Sequence, residues 1–240
     1  MKTKINNISI GLPCYNEEKN ISNVIKKCIF FIKKNKIKNW ELLIVDNKSN
    51  DKTVEIVKRI ISKNKSNKIR LIKNKENILY SGSSNKIIEK AKYDLIAIMD
   101  SDDQYLASDI SKLYYSMRKN KLDLIFGKRE IRRDTFMRKI ISGFFLFISR
   151  ALINNKLSDL NCGLRILKRN KLIKKYIENK LDFCNPELYV RYDSLKLKIG
   201  QVKINHYHRG HGKSIHNIFN LFYTSIIVIF YLIKLRKLNN

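Results

Sequence analysis

The chain is short of acid. Of its 240 residues, 21 are Asp or Glu against 50 Lys or Arg, a formal charge of +29. So basic a chain calls for an acidic partner: nucleic acid, anionic lipid or a phosphorylated substrate. Asn, Lys and Ile are abundant throughout, as drift in an AT-rich genome would also produce, so the charge is not by itself evidence of function. A built nucleic-acid module is excluded, because the RNP aromatic pattern, a helix-turn-helix signal and zinc-finger spacing are all missing. Cysteine is scarce as well. Cys14, Cys28, Cys162 and Cys184 form no Cys-x-x-Cys pair, which argues against a zinc site or a disulfide framework and for a reducing compartment. His206, His208, His211 and His216 do not have the spacing of a compact zinc site. With 2 prolines and 8 glycines, the chain shows no Pro/Gly linker, and no internal repeat is visible. One large domain with a real core is expected. Residues 1–7 are polar and short, so no secretory signal is expected before the first strand.

What is present is alternation. Predicted strands at 8–12, 41–45, 69–72, 95–99 and 122–126 are separated by helical patterns. In the first of these, Ile21, Val24, Ile25, Cys28, Ile29 and Ile32 recur at helical spacing. Strands and helices alternating at this pace predict an α/β, Rossmann-like, mostly parallel sheet flanked by helices. Beyond Arg129 the pattern changes. A strand-like piece is read at 163–167, a helix from about Pro186 and a last strand at 201–207. Residues 136–153 are apolar with embedded bases, which suits an interface with anionic headgroups. Residues 218–235 are almost wholly apolar and close to the length of a membrane span. The expected organisation is a catalytic domain over 1–214 and a C-terminal apolar helix over 215–240, an anchor or an oligomer contact.

The stretch 95–104 is the centre of the sequence. An apolar strand ends abruptly in Asp100-Ser101-Asp102-Asp103-Gln104. Carboxylates at the carboxyl end of a buried strand lie where open α/β sheets bind ligands. Asp100, Asp102 and Gln104 project to one side at every second residue. Their hard oxygens suit Mg²⁺ or Mn²⁺ bridging to phosphates. Taken alone, Asp-x-Asp is also an ordinary capping turn. Pro13, Tyr15 and Glu17 follow the first strand and Asp46 ends the second, on the same sheet edge. An aromatic ring there can cover a nucleobase and a carboxylate can accept its donors, although Asn16 or Glu17 could simply cap a helix.

Several stretches in order resemble family 2 inverting glycosyltransferases. They are Leu12-Pro13-Cys14-Tyr15-Asn16-Glu17, Val45-Asp46-Asn47-x-Ser49-x-Asp51-x-Thr53 and Met99-Asp100-Ser101-Asp102-Asp103-Gln104. Gly127-x-Arg129, Arg138 with Ser142, Asp159 to Arg165 and Arg209-x-x-Gly212-x-Ser214 then follow. The similarity is greatest to the dolichyl- or polyprenyl-phosphate mannosyltransferase-like group, and it spans roughly 5–215. It implies a GT-A fold, a nucleotide-diphosphate sugar donor, and Mg²⁺ or Mn²⁺ on Asp100, Asp102 and Gln104. It further implies donor contacts from Pro13, Tyr15, Asn16, Glu17, Asp46, Asp100, Arg209 and Lys213. An acceptor polyprenyl phosphate would be held by Arg129, Arg138 and Ser142, with Asp102, Arg129 and Arg138 carrying the chemistry at the cytoplasmic face of a membrane.

The pattern departs in three places. Asn47 stands where the family has a second Asp, Ile215 where it has a Lys, and the helix start at 81–84 carries one glycine. The rival acceptor is a hydroxyl of a surface glycan, which needs a base from Asp103, Glu187 or Asp193. A lectin-like scaffold and a polyanion binder are weaker alternatives. Asp159 and Arg165 are expected to form a structural ion pair or loop anchor, and a homo-oligomer is possible.

Overall fold

The structure is a computed structural model. It describes residues 4–64, 67–130, 136–173, 176–178, 184–209, 211, 227, 230–235 and 237, and of residues 136–139 and 141 only the backbone. Seven strands form one sheet: β1 (Asn7–Cys14), β2 (Asn39–Asp46), β3 (Ile69–Lys73), β4 (Leu95–Ile98), β5 (Leu124–Arg129), β6 (Arg165–Lys168) and β7 (Ile199–Ile204). Their order is β3-β2-β1-β4-β6-β5-β7. Among the described residues they are accompanied by α1 (Ile21–Lys34), α2 (Thr53–Asn64), α3 (Leu79–Lys90), α4 (Asp109–Lys119), α5 (Phe136–Ile153) and α6 (Asn185–Ser194).

Alternation along the strands builds two cores. Ile8, Ile10, Leu12, Leu42, Ile44 and Ala97 face one side, where α1 contributes Val24, Ile25, Cys28 and Ile32 and α4 contributes Ile110 and Leu113. Leu43, Val45, Ile96, Ile98 and Phe126 face the other, against Ile87 and Ile88 of α3 and Leu188 to Tyr192 of α6. A period of two in the strands and 3.6 in the helices therefore yields three layers. The helix termini agree with their dipoles, since α4 opens on Asp109 and ends with Arg118 and Lys119.

The predicted mostly parallel sheet is present, with one inversion. β6 slots antiparallel between β4 and β5. Pro13, expected to close β1, lies inside it and pairs with Val45. It is tolerated because pairing to β4 has already ended at Gly11 and Ile98, so its missing N–H removes no ladder bond there. α3 begins at Leu79, ahead of the predicted start, because Asn77 Oδ1 accepts the Leu79 N–H at 2.9 Å and Asn47 Oδ1 accepts that of Ile78 at 2.9 Å.

Most of 215–240 lies outside the described residues. Residues 230–235 are helical, with Leu232 and Leu235 buried in the cluster that holds Phe145 and Ile153 and Phe230 and Ile233 exposed. Residues 230–235 therefore pack one face on the domain and leave the other exposed. No helix among the described residues is long and apolar enough to cross a membrane.

Candidate active site

Three strand ends meet at one edge. β1 and β2 stay in register to Cys14 and Asp46, and β4 runs out beside them, with Met99 N–H donating to Gly11 O at 3.0 Å. Ser101 Oγ then donates to Pro13 O at 2.8 Å, fixing the acidic turn against β1.

The loops after β1 and β2 are laced together by side chain to backbone bonds. The N–H groups of Asn16, Glu17 and Glu18 donate to Ser49 Oγ, Thr53 Oγ1 and Asp51 Oδ2 at 2.9, 2.8 and 3.0 Å. Asn16 Oδ1 accepts from Asn50 N at 2.8 Å. Asn16 adopts φ 54°, a left-handed conformation that Asn tolerates well. Much of the second motif thus holds the first in shape. Tyr15 is half-buried beside it. Asp46 is buried, and among the described residues its carboxylate receives the long contacts of Ser49 N at 3.3 and 3.4 Å. Asn47 organises the loop before α3, accepting from Asn74 Nδ2 at 3.2 Å and donating to Asn77 Oδ1 at 2.6 Å.

Glu17 is buried. It accepts from Asn20 Nδ2 at 2.7 Å and is paired with Arg209 Nη2. Asn20 Nδ2 also reaches His211 O at 3.1 Å. The segment after β7 is therefore fastened over the end of β1. Burial raises the Glu17 pKa, while the Asn20 hydrogen bond and the Arg209 charge oppose the rise. Gln104 fastens the same segment from the other side. Its Nε2 donates to Tyr207 O at 3.1 Å, and Tyr207 N–H donates to Gln104 O at 3.0 Å.

Asp100 and Asp102 share one patch and form no salt bridge among the described residues. Burial, and then the neighbouring Asp100 charge, push the Asp102 carboxyl up to about 7. A carboxyl held up by burial beside a second carboxylate is a donor set a dication would satisfy. Gln104 keeps Oε1 as a third oxygen. No group of three or more His, Cys, Asp or Glu fit to hold a metal occurs among the described residues, so the remaining ligands would have to come from amide, water or substrate oxygens.

Asp103 points elsewhere. At φ 65° it turns to α1 and pairs with Lys27 at 2.7 Å, also accepting from Asn23 Nδ2 at 2.6 Å. Glu187, buried, accepts from Arg191 Nη2 at 2.7 Å and from Glu178 N at 2.9 Å. Two of the three candidate bases, Asp103 and Glu187, are thus engaged in structural contacts.

One pairing corrects the sequence reading. Asp159 pairs with Arg129 and not with Arg165. Arg129 Nε and Nη2 donate to its two oxygens at 2.8 Å each, and the Arg129 N–H donates at 3.1 Å. Both side chains are nearly buried, and this contact keeps Arg129 charged against the cost of burial. Arg165 is instead fully buried in β6. It donates to Tyr80 Oη at 3.0 Å and Ser84 Oγ at 2.9 Å, and Tyr80 Oη donates to Asp100 Oδ1 at 2.5 Å. Neither Tyr80 nor this chain of bonds was legible in the sequence. Tyr105, its pKa raised chiefly by burial, is close enough to feel both Arg129 and Asp100, and it links the two halves by accepting the Gly163 N–H at 3.0 Å. Ser142 is half-buried on α5, Arg138 lies on the same helix with only its backbone described, and Lys213 lies outside the described residues.

A family model described as "Glycosyl transferase family 2" matches residues 9–178. The dodecaprenyl-phosphate galacturonate synthase of Rhizobium johnstonii is 26% identical over 216 residues, covering 90% of this chain and 63% of that protein. A dolichyl-phosphate beta-glucosyltransferase of Dictyostelium discoideum is 24% identical, covering 85% of this chain and 68% of that protein. The chain thus spans about two thirds of the length of these relatives. Among solved structures, glucosyl-3-phosphoglycerate synthase from Mycobacterium tuberculosis, in complex with Mn²⁺, UDP-glucose and phosphoglyceric acid, superposes with a TM-score of 0.68. It is 18% identical, covering 97% of this chain and 80% of that one. The sheet and its flanking helices are those of the GT-A fold, and the chain belongs to glycosyl transferase family 2.

Proposed function

We propose that this glycosyltransferase transfers a sugar, with inversion, from a nucleotide-diphosphate donor to a polyprenyl phosphate at a membrane surface. The observation that carries this reading is the Asp100 and Asp102 pair at the end of β4. It lacks an ion-pair partner among the described residues, and Asp102 is pushed up to about 7. Mg²⁺ or Mn²⁺ would be held by Asp100, Asp102 and Gln104, and when bound would supply Lewis-acid neutralisation of the leaving diphosphate.

The nucleoside lies against the laced loops, with Tyr15 beside the base and Asp46 accepting from its donors. Pro13, Asn16 and Glu17 shape that wall, and Asp100 closes its inner end. Arg209, with Lys213 beyond it, reaches the diphosphate once it leaves Glu17. A lipid monophosphate is already an anion, so its oxygen needs orientation and not deprotonation. Arg138 and Ser142 on α5 hold it. Arg129 contributes through Nη1, because Nε and Nη2 are committed to Asp159. Engagement of Asp103 and Glu187 elsewhere favours this acceptor over a hydroxyl, which needs a free base. The two relatives are named for prenyl-phosphate acceptors, which agrees.

Contact with the membrane is assigned to α5, where Phe144 and Phe147 are 53% and 68% exposed and Arg150 lies on the surface. Apolar rings beside a base suit an anionic interface, reached from the cytoplasmic side. The catalytic domain then ends near 214, and 215–240 adds a further apolar contact. The test is a screen of radiolabelled nucleotide-sugars against polyprenyl phosphate in detergent, with and without Mn²⁺. Metal-dependent label in the lipid is expected. Label that requires an oligosaccharide acceptor would contradict the reading.

A further inference from the structure

We infer that Tyr80 and Arg165 are positioning residues that preset the Asp100 carboxylate for a divalent cation. The inference rests on the metal reading of the acidic pair and deepens it. Arg165 is fully buried in a strand, an unusual place for a guanidinium. Among the described residues it forms no salt bridge, and its Nε finds no partner. Its polar contacts are Tyr80 Oη, Ser84 Oγ and Cys184 Sγ, at 3.0, 2.9 and 3.2 Å. Among the described residues a carboxylate is met through one of these, where Tyr80 Oη donates a hydrogen bond to Asp100 Oδ1 at 2.5 Å. The buried cation is thus joined to the half-buried Asp100 carboxylate through one phenol. Donation from Arg165 polarises that hydroxyl and strengthens its bond to Asp100.

The second oxygen is fixed by a different device. A Cβ on Gly163 would stand 1.8 Å from Asp100 Oδ2 and 2.3 Å from its Cγ. The carboxylate therefore rests on bare backbone, in space that any other residue would fill. Gly163 is held in turn by Tyr105. Asp100 is thereby gripped from α3 at one oxygen and seated on the segment before β6 at the other, while among the described residues Asp102 accepts the Gln104 N–H at 3.2 Å. Tyr80 meets Asp100 as an outer partner meets a metal ligand, setting its angle and leaving lone pairs for the cation.

The test is Mn²⁺ binding to the full chain without donor, read from the signal of free Mn²⁺ in electron paramagnetic resonance. Tyr80→Phe removes one oxygen and should raise the Mn²⁺ Kd about tenfold, the usual scale for losing an outer-shell partner. Arg165→Lys should not restore wild-type binding, since one ammonium cannot span Tyr80, Ser84 and Cys184. Gly163→Ala displaces Asp100 from the opposite side and carries the same readout should Tyr80→Phe fail to fold. Asp102→Asn is the control for the underlying reading. If it binds Mn²⁺ like the wild type, the metal assignment itself fails. If Asp102→Asn loses binding while Tyr80→Phe and Gly163→Ala keep the wild-type Kd, the assignment stands and the positioning role is wrong.

Discussion

Arg209 and Glu17 stand 192 positions apart and are paired at the mouth of the site. The segment following the last strand is thereby latched to the loop following the first. The same guanidinium is assigned to the donor diphosphate, so donor binding must exchange one anionic partner for another. Arg209→Ala should raise the donor KM by about tenfold or more, as expected for a lost charge-assisted contact, and leave the acceptor KM unchanged. Glu17→Gln keeps the shape and removes the charge. It should quicken hydrogen exchange from Asn205 to Arg209, and steady-state kinetics with exchange mass spectrometry measure both effects.

Asp102 gives a prediction in pH. Its carboxyl holds a proton more tightly in the folded chain, at about 7, than in the unfolded one, at about 4. Its contribution to stability is therefore complete below about pH 4 and lost as the pH rises through about 7. A cation must displace that proton, so the Mn²⁺ Kd should fall as the pH is raised to about 7 and level off above it. Calorimetric titration in buffers of different ionisation enthalpy would show the released proton. Asp102→Asn should cut turnover ~100-fold or more without lowering the melting temperature of the metal-free protein at pH 8.

The Arg129 and Asp159 contact predicts a stability effect separable from catalysis. Both partners are nearly buried and joined by two parallel bonds. Removing either member breaks a nearly buried, two-point charge pair, at a cost of about 3–5 kcal/mol. Asp159→Asn and Arg129→Ala should each lower the free energy of unfolding from urea titration by that amount, and the double variant should lose less than the sum. Arg129→Lys should recover charge but not the fork, and so only part of the stability.

How far the sequence could be read depended on how local each feature was. Asp100-Ser101-Asp102-Asp103-Gln104 was legible because a buried strand and its terminal acids are adjacent in the chain. The strand ends bearing Pro13 and Asp46 followed from the alternation of strands and helices. The partner of Asp159 was not legible, because it depends on β6 entering the sheet antiparallel between β4 and β5. That placement sends Arg165 to the α3 side, toward Tyr80, and leaves Asp159 beside Arg129. No local signal encodes it. The roles of Asp102 and Asp103 diverge through one left-handed residue, Asp103 at φ 65°, which turns its carboxylate to Lys27. Residue type alone gave them equal standing.

The surface of α5 predicts lipid dependence. Ile140, Phe144 and Phe147 are 50, 53 and 68% exposed, more apolar surface than a helix facing water alone would carry. The double variant Phe144→Ser, Phe147→Ser should float less with vesicles rich in anionic lipid. It should also lose activity on long-chain polyprenyl phosphate. A short, water-soluble prenyl phosphate should restore much of that activity, because the catalytic residues are untouched. Vesicle flotation and parallel assays on the two acceptors decide the matter.

The central claim is tested most directly by the structure of the product. Enzyme, Mn²⁺, a labelled nucleotide-sugar and polyprenyl phosphate are incubated in detergent, and the purified product is examined by proton–phosphorus correlated NMR. The account predicts a sugar joined through its anomeric carbon to the lipid phosphate, with configuration opposite to the donor's, formed only with metal. A product of retained configuration, or label found solely in a lipid-free, base-stable glycan, would contradict it.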